Sequence, residues 1–248
     1  MRTAIGLFLL LTTLNLGANT SATPRVFTSG DTPITLVELY TSEGCSSCPP
    51  ADRYLSGLES SPGLWRDFVP VALHVDYWDD IGWPDRFASR DYSDRQRRYA
   101  REGGTRVVYT PGLFRNGQEW RGWRLGGPGR SRGPAVGALS VESDGERFSA
   151  RFDPAEGVTA DTLHIAILGM DLATEVEAGE NRGRRLEHDF VLLGLRSVPL
   201  ESAAAGLEAM GELPDARVTA KRTALAAWVT ARGTQAPIQS VGGFLEAD

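Results

Sequence analysis

Cysteine and histidine are nearly absent from this chain of 248 residues, which has two of the first and three of the second. A closed zinc site takes four Cys or His ligands at recognisable spacings, and so few residues do not supply that pattern. Long apolar runs are missing as well. Beyond the N-terminal segment, none reaches the roughly 20 residues that a membrane helix needs. Positive charge is not in excess, and a net charge of −6 argues against a general nucleic-acid binder, which is usually basic overall. There is no Gly-x-Ser-x-Gly elbow for a serine hydrolase. Gly179–Arg184 lacks the strand-to-helix context and Gly-x-Gly spacing of a phosphate cradle, and there is no internal repeat.

What is present begins with a leader pattern. Arg2 precedes an apolar, Leu-rich run from Ala4 to Leu14, and a stretch of small and polar residues, Gly17–Ala22, follows. This is the layout of a secretory signal over residues 1–23, cleaved after Ala22. The expectation is an exported protein, periplasmic or secreted, in an oxidising compartment. With no cysteine at the cleavage point to carry a lipid, no stable membrane insertion is expected after signal removal.

Two patterns follow one another in the rest of the chain. Ile34–Tyr40 reads as a strand, Pro49 to about Leu58 as a helix, and Phe68–Asp76 as a strand buried on both faces. Asp91 or Ser93 is expected to cap a helix reaching Arg101, which Gly103-Gly104 stops. Val107–Tyr109 leads to Thr110-Pro111. Asn116-Gly117 marks a hairpin, with Glu119–Trp123 as its return strand. Arg124–Pro134, rich in Gly, Pro and Arg, is the expected boundary. Beyond it lie short strands: Ala138–Glu142 and Arg147–Phe152 about an Asp144-Gly145 turn, then Thr162–Leu168, Thr174–Ala178 and Phe190–Ser197. Lys221–Ala231 and Ile238–Leu245 read as a final antiparallel pair, with a short helix at Thr223–Val229 as the alternative. The expected organisation is an α/β unit over residues 24–130 and an antiparallel β-rich, sandwich-like unit over 131–248.

The two cysteines are Cys45 and Cys48, placed where the first strand ends and the first helix begins, with Pro49 and Pro50 suited to the helix's first turn. The partial positive charge and free N–H groups of a helix N-terminus stabilise a thiolate. As a structural staple the pair is weak: so short a loop constrains the unfolded chain by on the order of 2 kcal/mol, against nearly 5 for a loop of about 100 residues. Redox use of the pair is therefore the leading expectation, with no cofactor and no resident metal. A thiol-based copper site drawing on His74 and Asp76, which share a strand face, is a rival. So is a non-catalytic protein that holds a partner through its aromatic residues and arginines. His74 reads as a satisfied buried histidine. Asp76 and Asp79 are candidate proton acceptors for Cys48 or ordinary loop caps. Tyr77, Trp78 and Trp83 form an apolar rim or pack under an irregular loop. The arginines crowded between Arg86 and Arg124 are either a solvated face or an anionic-partner surface. Gly179–Arg184 reads as a loop of the β unit, with docking against the redox face as the other reading.

The order strand, C-x-x-C, helix, strand, helix, x-Pro, hairpin resembles a thioredoxin fold. The strings Glu38–Asp52, His74–Asp79, Tyr109-Thr110-Pro111 and Gly179–Arg184 together resemble the hallmarks of a secreted bacterial, thioredoxin-like domain-of-unknown-function family. That resemblance implies thiol–disulfide exchange on protein or small-molecule thiols and disulfides, with a redox partner protein. Cys45 is then the attacking thiol and Cys48 the resolving one. Pro111 is implied to be a cis-proline facing the pair, and Thr110 to offer its backbone to an extended substrate. Tyr77 and Trp78 are expected at the substrate site. The Gly/Pro-rich Arg124–Pro134 departs from the pattern, because a helix should follow the hairpin there.

Overall fold

The computed structural model describes residues 24–246; the signal expected over residues 1–23 lies outside them. A short first strand, β1 (Arg25–Thr28), is not foreshadowed by any strong local pattern. Strands β2 (Thr35–Thr41) and β3 (Phe68–His74) are buried at every position and pair in parallel, with α1 (Pro49–Gly57) between them. Continuous burial is what a parallel strand covered on both faces requires. Helix α2 (Arg90–Arg101) starts one residue before the expected cap Asp91. Its N-cap is Ser89, whose hydroxyl accepts the Asp91 N–H, while Ser93 is buried and turned toward Asp76.

Strand β4 (Gly112–Arg115) runs antiparallel to β2 and forms a hairpin with β5 (Gln118–Glu119). Its turn residues, Asn116 at φ 47° and Gly117 at φ 80°, have the positive φ pair that a two-residue hairpin demands. The Asn116 side chain also accepts the Leu36 N–H at 2.8 Å. The return strand expected over Glu119–Trp123 is only two residues long, because the chain tightens into a 3-10 turn over Arg121–Leu125. Val107–Tyr109 is irregular rather than extended.

The remainder is all strand: β6 (Gly137–Ser143), β7 (Arg147–Pro154), β8 (Thr162–Met170), β9 (Leu172–Glu175), β10 (Arg185–His188), β11 (Val191–Pro199), β12 (Glu201–Ala203), β13 (Gly206–Glu212), β14 (Arg222–Thr230) and β15 (Pro237–Phe244). Thr223–Val229 therefore belongs to a strand and not to a helix. The strands form an eight-stranded mixed sheet in the order β15-β14-β8-β11-β3-β2-β4-β5, a five-stranded antiparallel sheet β1-β6-β7-β13-β12, and the small pair β10-β9. Strand β11 joins the two sequence halves. It lies antiparallel to β8 and parallel to β3, with Val191 opposite Ala72.

Period-two patterning explains the layers. In β8, Leu163, Ile165 and Ile167 pack toward the five-stranded sheet, while Ala166, Leu168 and Met170 face the helical side. In β14, Leu225, Ala227 and Val229 alternate in the same way with Ala224, Ala226 and Trp228. Each such side chain, fully buried, contributes about 1.5–3 kcal/mol if it is Val, Leu, Ile or Phe. The protein is thus β-rich, with two α-helices among the described residues and mixed and antiparallel sheets. No described helix is long and apolar enough to cross a membrane.

Candidate functional site: a buried dithiol under a cross-chain clamp

The chain leaves β2 at Thr41 and turns through Ser42-Glu43-Gly44 into the two cysteines. The Cys45 N–H donates to the Ser42 carbonyl at 3.2 Å, and Cys48 is the N-cap of α1, its carbonyl accepting the Ala51 N–H at 2.8 Å. Pro49 and Pro50 occupy the first turn, where a missing N–H leaves nothing unpaired. Both thiols are free, and both are buried; Cys45 is 1% exposed.

The two sulfurs differ sharply in acidity. A hydrogen bond from the Cys48 thiol, joined by donors from Ser47 and Thr110 and opposed by burial, brings the Cys45 pKa down to about 6. The Ser47 hydroxyl lies 3.2 Å from the Cys45 sulfur. Burial, together with the bond to Cys45 and the charge of Asp52, pushes the Cys48 thiol far up. Asp52 stands one helical turn after Cys48, on the same helix face. It is itself buried, and burial raises its pKa against the opposing pull of His188 and His74.

The structure gathers the residues named from sequence around this pair. Thr110 faces Cys45, and its peptide bond to Pro111 is cis. The Trp78 indole N–H donates to the Thr110 hydroxyl at 2.8 Å. The Tyr77 hydroxyl donates to Gln96 at 3.2 Å, while the Gln96 amide holds the Tyr109 carbonyl at 2.7 Å. Trp78 presses so closely on the cysteine turn that a Cβ at Gly44 would lie 3.1 Å from its own Cβ. Trp83 meets the same turn, its N–H donating to the Glu43 carboxylate at 2.9 Å.

Asp76 and Asp79, weighed as proton acceptors, do not meet the thiols through any hydrogen bond among the described residues. Asp76 takes the Ser93 hydroxyl and Asp79 takes the Asp85 N–H. Behind the cysteines lies a different acidic cluster. Asp85 bonds to His74 Nδ1 at 2.6 Å and accepts the Glu43 N–H at 2.8 Å. Burial opposes charge on His74, but the Asp85 carboxylate overrides it and raises the His74 pKa; Asp85 is correspondingly lowered by His74 against its own burial. Glu43 sits 3.2 Å from His188 Nε2, and despite burial its pKa is lowered, chiefly by His188 and Trp83. Its carboxylate is therefore turned into this cluster. Among the described residues, no three His, Cys, Asp or Glu side chains are placed to hold a metal ion. His164 lies apart, bonded to Ser197 and Thr230.

Gly179–Arg184 docks directly on the dithiol turn. The Asn181 amide, fully buried, donates to the carbonyls of Glu43 at 2.8 Å and Cys45 at 3.0 Å. Glu180 accepts the Ser46 N–H at 3.0 Å, and Arg184 holds Asn181 in place at 2.8 Å. The β9–β10 pair carries this loop and also delivers His188 to the cluster. Sequence reasoning singled out the loop motif, and Asp52 closes the Glu38–Asp52 string; Asp85 and His188 carried no local signal of a shared site.

A β-rich protein whose mixed sheet presents a free, asymmetrically acidic dithiol at a strand-to-helix turn is the class these features define. The chain belongs to the family described as "Protein of unknown function (DUF1223)", whose model matches residues 36–230. It is similar in fold to the crystal structure of protein AGR_C_4864 from Agrobacterium tumefaciens. That match has a TM-score of 0.61 at 23% identity and covers 89% of this chain and 97% of that one. It is also similar to HBP35 of Porphyromonas gingivalis, with a TM-score of 0.55 at 12% identity over 87% and 76% of the two chains. No curated protein sequence matches it significantly.

Proposed function

We propose that this is an exported thiol–disulfide oxidoreductase, with residues 24–130 arranged as a thioredoxin-like unit and residues 131–248 as its β-rich companion. The observation that carries the reading is the placement of the pair: two free cysteines at a strand-to-helix turn, the Ser47 hydroxyl 3.2 Å from the Cys45 sulfur and Cys48 capping α1, an arrangement that lowers the Cys45 pKa and raises that of Cys48. Export is supported by the leader pattern of residues 1–23.

In this reading the Cys45 thiolate attacks one sulfur of a substrate disulfide. A Cys45–substrate S–S bond forms as the substrate S–S bond breaks, and the departing thiolate takes up a proton. Cys48 then loses its proton to Asp52 and attacks the Cys45 sulfur. The Cys45–Cys48 disulfide closes and the second substrate thiolate leaves. The substrate gains two electrons and the protein loses two, which a dithiol partner protein restores; run in reverse, the same steps oxidise a substrate dithiol. A stabilised Cys45 thiolate favours the reduced protein and so tilts the pair toward the oxidising direction.

One observation favours the rival, a non-catalytic binding protein on the same scaffold: Cys45 is almost wholly covered. A single experiment separates the two. Cys48→Ser protein, exposed to disulfide-bearing periplasmic protein and analysed without reductant, should accumulate mixed disulfides that disappear in the Cys45→Ser/Cys48→Ser double variant. No trapped species, together with a Cys45–Cys48 disulfide that resists strong reductant, sinks the oxidoreductase reading.

A further inference from the structure

The arginines crowded between Arg86 and Arg124 sort into two groups. Arg95 is buried on Glu38, Arg90 and Arg97 pair with Asp94, Arg121 with Glu119, and Arg86 and Arg115 donate to backbone carbonyls. Arg98, Arg101, Arg106 and Arg124 have no carboxylate partner among the described residues; of these, Arg124 lies over the Trp123 ring, 4.3 Å from the centroid. Arg124 stands at the side of a groove of about 490 Å³ lined by Val107, Tyr109, Pro111, Leu113, Trp120 and Trp123. Thr110 belongs both to this groove and to the shell around Cys45, so the groove opens beside the reacting sulfur. Large apolar side chains are left to solvent nearby in the chain: Val107 is 52% exposed, and Leu125, next to Arg124, is 93% exposed.

We propose that this groove binds the segment flanking a disulfide of a partner protein, taking one aliphatic or aromatic side chain against Pro111 and Trp123 and a neighbouring carboxylate on Arg124. This rests on the thiol–disulfide reading and adds the chemistry of its substrate. An apolar floor gains from excluding water and offers little to a small, uniformly polar disulfide. Trp and Arg side by side are the residue types that most often anchor protein contacts. Of the four arginines in this stretch without a carboxylate partner, Arg124 is the one that lines the groove, so an acidic residue beside the bound side chain meets a guanidinium with no carboxylate of its own.

The test uses Cys48→Ser protein and two short cysteine peptides carried as mixed disulfides with a neutral thiopyridyl group. One peptide has Phe before and Glu after the cysteine; the other has Ser at both places. The rate of thiopyridone release should favour the first peptide by about tenfold, the scale of one such contact. Arg124→Glu and Val107→Ser, both surface changes, should each erase most of that preference, read as the ratio of the two peptide rates within one variant so that any general change in Cys45 reactivity cancels. Equal rates for the two peptides, or a preference that survives both substitutions, overturns the groove. So does a glutathione mixed disulfide that reacts as fast as the Phe/Glu peptide, since the site would then serve small anionic thiols. Failure of dithiodipyridine to modify Cys45 at all is failure of the thiol–disulfide reading instead. In that event the groove is decided by fluorescence binding of the Phe/Glu peptide with Ser in place of Cys, which should weaken about tenfold in Arg124→Glu.

Discussion

The side-chain amide of Asn181 donates to the carbonyl oxygen of Cys45 at 3.0 Å, although 136 positions separate the two residues in the chain. The same amide holds Glu43, so one side chain from the β9–β10 loop fixes the backbone on both sides of Gly44. Removing it in Asn181→Ala leaves the Glu43 carbonyl without a donor, at a cost of about 1–3 kcal/mol, and the Cys45 carbonyl with only the Cys48 N–H at 3.2 Å. It also frees the loop to move off the turn. Tm should fall by several degrees, and iodoacetamide should label Cys45 in the folded protein faster than in wild type. A lowered Tm with unchanged labelling would show that the clamp supports the fold without covering the thiol.

Glu180 brings a carboxylate to the Ser46 N–H, where its negative charge works against a thiolate on the adjacent residue. With a Cys45 pKa of about 6, labelling of the reduced protein should reach half its maximal rate near that pH, well below the ~8.5 of a free thiol. Glu180→Gln should move this midpoint lower still, read from thiolate absorbance against pH. The stability sign follows from the lowered pKa. The thiolate's contribution is fully present above the unfolded thiol's pKa and is lost as pH falls through about 6. The oxidised form has no such group. The Tm of reduced protein relative to oxidised should therefore rise with pH across that interval.

Local signals carried much of this structure. Alternating and continuous apolar patterns located β2, β3, β8 and β14, because burial on one or both faces is written residue by residue. Cys45 and Cys48 were legible at the strand-to-helix turn, since Pro49-Pro50 mark the helix start, and Asn116-Gly117 marked the hairpin by its need for positive φ. What stayed hidden depends on chain crossings. β11 meets β3 through only one register pair, Val191 with Ala72, and no local pattern specifies that. Asp76 and Asp79 read as either proton acceptors for Cys48 or loop caps, and a 3-10 turn over Asp76–Ile81 places them as caps, on the Ser93 hydroxyl and the Asp85 N–H. His188 reaches Glu43 only because β10 folds back against α1.

The His74–Asp85 pair is fully buried at 2.6 Å. Breaking a buried ion pair from one side typically costs about 3–5 kcal/mol, because the partner's charge is left uncompensated. Asp85→Asn should cost that much in denaturant unfolding, even with the Glu43 N–H still paired to the amide oxygen. His74 is raised, so its contribution is full below the unfolded histidine pKa and is lost as pH rises through the folded value. Asp85 is lowered, so its contribution is full above the unfolded carboxyl pKa and is lost as pH falls through the folded value. Wild type should lose stability on both sides of that window. In Asp85→Asn the His74-linked loss on the alkaline side should vanish, and equal alkaline slopes in the two proteins would refute the pairing as a stabilising charge contact.

Asp52 faces Cys48 from one turn along α1, and burial has already raised its own pKa. A carboxylate in that state is a fit acceptor for the proton of a thiol pushed in the same direction by the same burial. Asp52→Asn keeps the shape and removes the acceptor. The Asp52 charge also raises the Cys48 pKa, so its removal should lower that value while the resolving step slows. A merely structural residue would not produce those opposite effects. In single-turnover reactions with a peptide disulfide, the first step through Cys45 should keep its rate, and closure of Cys45–Cys48 should slow by about 10²–10⁴-fold, the range of general acid–base assistance. The mixed disulfide should then be visible by mass before it resolves. Added external base should restore part of the closure rate. If closure is as fast as in wild type, the proton goes elsewhere, and His188, the next titratable group in the cluster, becomes the residue to substitute.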